Sequence, residues 1–155
     1  MKILYINGFE ETLKDFSIKF LKENLKDEIV ICNWYNKEIK NCIDKEKPDI
    51  IVAISIGCLI ADSFDIPKIL INPVIERKEI NKLFLNKDIS NLPERVEHYG
   101  NIRIIILEKN KKIENEYKND KIILLNDYNL NNKEVILNEI NNLKEFINDL
   151  TFIEI

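Results

Sequence analysis

Apolar residues fall along the chain in short dense runs, and between them lie polar stretches with helical spacing. Residues 2–6, Lys-Ile-Leu-Tyr-Ile, are nearly all apolar, the pattern of a strand covered on both faces. After the loop Asn7–Glu11, Thr12 and Asp15 have the spacing of a capping box, and Leu13, Phe16, Phe20 and Leu21 mark one face of a helix to about Leu25. Ile29–Cys32 reads as a second strand. Asn36 is placed to cap a short helix with Ile39, Cys42 and Ile43 on one side, which Lys47-Pro48 stops. A third apolar run, Ile51–Ile54, leads straight into Ser55. Past Gly57, Cys58–Ala61 opens a helix of about two turns to Phe64.

Pro67 leads into a fourth strand, Lys68–Ile71, which ends in Asn72-Pro73. Residues 74–100 are more polar, with Ile80, Leu83 and Phe84 at helical spacing, and read as an insertion or lid over the sheet edge or the site. Ile102–Leu107 is the fifth strand, Ile113 and Tyr117 suit a short helix, and Lys121–Leu125 is the sixth strand. Asn131 or Asn132 then caps the last helix, along which Ile136, Ile140, Leu143, Ile147 and Leu150 repeat at helical spacing. The tail, Thr151–Ile155, is a frayed end or a short extra strand. Six strands alternating with helices predict a single α/β domain over 1–155, a three-layer sandwich around a mostly parallel sheet. Ligands of such sheets bind at the carboxyl ends of the strands. With the first strand central, that edge brings the Asn7–Glu10 loop beside Ser55.

Composition narrows the partners. A net charge of −4 and a pI near 5.2 leave no basic footprint for nucleic acid. No apolar run is long enough for a membrane span and the start of the chain has no signal-peptide layout, so a cytoplasmic protein is expected. Cys32, Cys42 and Cys58 show no C-x-x-C spacing and predict neither a disulfide framework nor a zinc site. No G-x-G-x-x-G or Walker pattern calls for a nucleotide, and no cofactor is expected.

Chemistry concentrates at Ala53-Ile54-Ser55-Ile56-Gly57. A serine at a sharp strand-to-helix turn needs small residues two positions to either side, because the chain doubles back there. Ala53 and Gly57 supply them, giving an Ala-for-Gly form of the nucleophile elbow. The plainer reading of Ser55 is a helix N-cap. Cys58 follows the elbow and is expected to face the core. His98 lies just before the fifth strand, which puts it at the amino end of the sheet, opposite Ser55. Glu10, Glu11, Glu108 and Asp127 fall on carboxyl-end loops, where a carboxylate can orient a water or act as a weak base.

Ile3-Leu4-Tyr5-Ile6-Asn7-Gly8-Phe9 resembles the strand-one opening of small α/β-hydrolases. Ile51–Gly57 fits their elbow, and Leu70-Ile71-Asn72-Pro73 matches the segment after the following strand. The chain is most similar to the bacterial YqiA/YcfP-like esterases. The resemblance implies strand order 2-1-3-4-5-6, an ester or thioester as the bond attacked, and an oxyanion hole from the Phe9 and Ile56 amides. The sequence departs from the family at the triad. Asn110 stands where the acid belongs and Tyr128 where the histidine belongs, with Glu108 and Asp127 as the nearby alternative acids, and Asn7 replaces the usual histidine of the oxyanion loop. Two expectations follow: a serine esterase or thioesterase acting on a small ester through Ser55, or an inactive relative that binds a small molecule or a protein partner in the same crevice. A phosphate- or nucleotide-binding domain is the third and least supported.

Overall fold

Six parallel strands hydrogen-bond in the order β2-β1-β3-β4-β5-β6 in a computed structural model, which describes residues 1–7, 16–80, 88–125 and 132–153. They are β1 (Lys2–Asn7), β2 (Glu28–Asn33), β3 (Ile50–Ile54), β4 (Lys68–Ile71), β5 (Arg103–Glu108) and β6 (Lys121–Leu125). Between them run α1 (Phe16–Asn24), α2 (Ile39–Glu46), α3 (Gly57–Ala61) and α4 (Lys111–Glu116), and α5 (Asn132–Ile153) follows β6. This is the α/β architecture and the strand order the sequence predicts. Every residue of β3 and β4 is buried, as continuous apolar runs require in a sheet covered on both faces. The edge strands β2 and β6 carry the exposed apolar positions, Ile31 and Leu124.

Side-chain alternation divides the core in two. Val52, Ile54, Ile69 and Ile106 pack with Leu21 of α1 and Ile136 and Ile140 of α5. Leu4, Ile51, Ala53 and Leu70 pack on the other face, with Ile39 and Ile43 of α2 and the residues of α3. The described parts of 74–100 join this second face through Ile75, Ile89, Leu92 and Val96. Parallel β4 and β5 need a crossover, and this segment supplies it, with a short 3₁₀ turn at Arg77–Glu79 among its described residues.

Several local expectations shift. Asn36 does not cap α2: its side chain accepts from the Glu38 amide, making a turn before the helix, and the capping position passes to Glu38. Leu150 is 39% exposed, because a helix of 22 residues, about 33 Å long, outruns strands of at most six. Of the tail, Thr151–Ile153 continue the last helix rather than forming a strand, and 154–155 lie outside the described residues. The Thr12–Asp15 capping box, Leu13, Leu83, Phe84 and Asn131 lie outside the described residues.

The amino edge is held by buried charges. Asp62, just past α3, accepts from Arg103 Nε at 2.7 Å, from the Tyr117 hydroxyl at 3.2 Å and from the His98 amide at 3.0 Å, and Lys68 Nζ lies 3.6 Å away. Lys68 donates to the carbonyls of Phe64 and Tyr99, and Arg103 to those of Tyr99 and Gly100 and to Asp120. Each charge is thus paired and hydrogen-bonded, the condition under which burial is tolerated. Asp62→Ala strands two buried cations and is expected to cost about 3–5 kcal/mol in urea unfolding. Burial pulls the Lys68 ammonium down to about 8, against the opposing pull of Asp62. The unfolded chain therefore binds more protons at this site between pH 8 and the ordinary lysine range. The stability of the wild type minus that of Lys68→Met should rise as pH is raised through that window.

Candidate functional site

At the opposite edge the chain leaves β3 through Ser55 and turns at once into α3. Ser55 has φ = 53°, the left-handed region that costs a residue with a side chain about 1–2 kcal/mol. Hydrogen bonds lock it there. The Ser55 amide donates to the Ile71 carbonyl at 2.9 Å, and its own carbonyl accepts from Cys58 and Val74 at 3.1 Å. Gly57 explains why the turn tolerates no side chain two residues on. A Cβ there would lie 2.8 Å from Ile6 Cγ2 and 2.9 Å from the Ile6 carbonyl oxygen, so α3 starts pressed against the backbone of β1. Ala53 is fully buried beneath the turn. From Ile50 to Asp62 every residue is buried except Ser55.

Ser55 does not act as a helix cap, since α3 has Ile56 at its N-cap position and no side-chain cap. No described group accepts from the Ile56 amide, and no described side chain hydrogen-bonds the Ser55 hydroxyl. Around them, the carboxyl edge is polar. Asn7 at the end of β1 donates to Asn33 Oδ1 at 2.7 Å, while its own Oδ1 is buried without a partner among the described residues. A depression of about 610 Å³ opens beside this amide pair, lined also by Ile18, Lys22 and Ile31. Another, about 580 Å³, lies wholly within the crossover around Arg77 and Glu94.

Glu108 ends β5, half-buried, with its amide tied to Asn72 Oδ1 at 3.1 Å and no described partner for its carboxylate. Two strand spacings, about 10 Å, separate it from the elbow. At that separation its carboxylate is too far off to serve Ser55 directly. Asn110 is occupied elsewhere: its side chain accepts from the Ile113 amide and Glu114 reaches back to the Asn110 amide, a reciprocal cap on α4. Phe9, Glu10, Glu11, Asp127 and Tyr128 lie outside the described residues.

His98 belongs to the other edge. Its amide is held by Asp62, its Nε2 lies 2.7 Å from Glu116, and its ring packs on Tyr117. Lys68, in the same cluster, is level with Ile51, about 10 Å of strand before Ile54. Burial pushes the Glu116 carboxyl up, but hydrogen bonds from Arg95 and His98 outweigh it and hold the group below its usual range. The Cys58 thiol is fully buried against the Ala53 and Ile71 carbonyls, and burial pushes its pKa far up, so it is inert. Sequence reasoning missed the Asn7–Asn33 pair and the role of Asp62. The signal for Asp62 was a single acid directly after an apolar run.

Comparison with family models, with curated proteins and with solved structures returned no match. Among the described residues no helix is long and apolar enough to cross a membrane, and no cluster of side chains is suited to hold a metal ion.

The elbow makes opposite predictions two residues apart. Ser55→Gly should be about 1 kcal/mol more stable than Ser55→Ala in urea unfolding, because glycine adopts φ = 53° freely. Gly57→Ala should lose about 1–3 kcal/mol to the contact with Ile6.

Proposed function

We propose that Ser55 marks the acyl site of an α/β-hydrolase-like protein whose substrate is a small carboxylic ester or thioester. The observation that carries this reading is the strained serine, at φ = 53°, as the one partly exposed residue in an otherwise buried strand–turn–helix. In the proposed reaction Ser55 Oγ attacks the acyl carbon, the carbonyl oxygen takes the negative charge, and the alcohol or thiol departs with a proton. Water then cleaves the acyl-serine. The Ile56 amide, which has no acceptor among the described residues, supports a role as oxyanion donor, with Phe9 as the second donor the family resemblance supplies. Glu108, as the last residue of the penultimate strand, is a better placed acid than Asn110.

A second reading is favoured by one observation: no described side chain hydrogen-bonds Ser55 Oγ, and a serine without a base is a weak nucleophile. On that reading the crevice beside Asn7 and Asn33 binds a ligand without turnover.

Labelling by a fluorophosphonate at neutral pH separates the two. The catalytic reading expects labelling that is lost in Ser55→Ala, at a rate on the order of 10³-fold or more below that of an esterase with an intact triad. A folded wild type that stays unlabelled while a reference esterase reacts in the same tube would assign the crevice to binding alone.

A further inference from the structure

Cys32 and Cys42 lie far from any recognised cysteine spacing, yet the fold brings their sulfurs to 3.0 Å. Cys32 is a buried residue of β2, and Cys42 is half-buried on α2. Ile39 and Ile43 anchor α2 on the sheet, and the connecting segment is held by buried Trp34, whose ring meets Tyr35 edge-on at 5.5 Å. The two thiols are therefore positioned by packing. A disulfide would require them to close by only about 1 Å, within reach of side-chain rotation.

We propose that Cys32 and Cys42 are a reversible dithiol–disulfide pair, oxidised by a low-molecular-weight disulfide such as oxidised glutathione. Cys42 is the more accessible sulfur and reacts first. Its thiolate attacks one sulfur of the reagent, forming a mixed disulfide and releasing one thiolate. Cys32 then attacks the Cys42 sulfur, the mixed disulfide breaks, and the second thiolate leaves, taking up the proton that Cys32 loses. Two protein thiols are oxidised and one external disulfide is reduced to two thiols. Burial first, and then the hydrogen bond and charge of Cys42, push the Cys32 thiol up to about 12. Cys32 is thus poorly suited to open the reaction, and capping Cys42 removes the contributions that come from Cys42.

The bond would clamp α2 to β2 next to Asn33, which holds Asn7 at the carboxyl edge. It is independent of whether Ser55 is catalytic. Cys58, on the same face of the core but packed against the Ala53 and Ile71 carbonyls with no sulfur partner, serves as an internal control.

The test is intact-mass analysis of the full-length chain after incubation with oxidised glutathione, followed by alkylation and non-reducing peptide mapping. The expected result is loss of two hydrogens, one Cys32–Cys42 cross-linked peptide, reversal by dithiothreitol, and a melting temperature raised by about 5 °C. Cys58→Ser should behave as wild type, and Cys32→Ser should keep a stable glutathione adduct on Cys42. No mass change in the wild type, or a persistent adduct on Cys42 that never resolves to the cross-link, would overturn the proposal.

Discussion

Gly57 and the backbone of β1 occupy space that leaves no room for one more carbon atom. With a Cβ at that position 2.9 Å from the Ile6 carbonyl, α3 can start only where glycine stands. The central position of β1, between β2 and β3, puts that backbone beneath the turn. The left-handed backbone of Ser55 is the other half of the same constraint: the chain reverses within two residues of β3, and the strain falls on the residue at the apex. The start of α3 and the partial exposure of Ser55 both sit at this single close approach.

The two edges of the sheet solve opposite problems. At the amino edge, Asp62, Lys68 and Arg103 are buried, and each is matched by charges and carbonyls that hold the 98–103 segment in place. At the carboxyl edge, the Ser55 hydroxyl, the Ile56 amide, Asn7 Oδ1 and the Glu108 carboxylate have no described partner. Natural structures rarely leave polar groups idle in or near a core, and where they do the groups tend to face a reactant or ligand. The asymmetry agrees with the rule that places ligands at strand carboxyl ends.

Much of this organisation was legible in the chain. Apolar runs located all six strands because a sheet covered on both faces demands them, and Ala53, Ser55 and Gly57 revealed the elbow because steric needs two residues to either side are local. Features that depend on pairing across the fold were not legible. Lys68 and Arg103 begin strands and look like solvated ends until Asp62 is seen between them. Cys32 and Cys42 meet only because α2 folds back on β2, which no spacing rule encodes. Asn36 looked like a cap because its side chain serves equally well in the turn before a helix. Asn110 was compared with a catalytic acid by position in the chain, whereas its side chain is used locally to start α4. Phe9, Asp127 and Tyr128 lie outside the described residues, so the family resemblance alone speaks for them.

Everything described that holds the turn at Ser55 comes from the first half of the chain: the Ile71 carbonyl and the Cys58 and Val74 amides bond Ser55 itself, and the Ile6 and Asn7 backbone presses on Gly57. Among the described residues, none after Val74 hydrogen-bonds Ser55 directly. As the chain leaves the ribosome, every described hydrogen-bond partner of Ser55 is therefore synthesised before β5. In evolutionary terms the two halves are uncoupled. Substitutions in the later strands can then accumulate without removing a described hydrogen bond to Ser55, and the turn persists as a shaped, polar foothold.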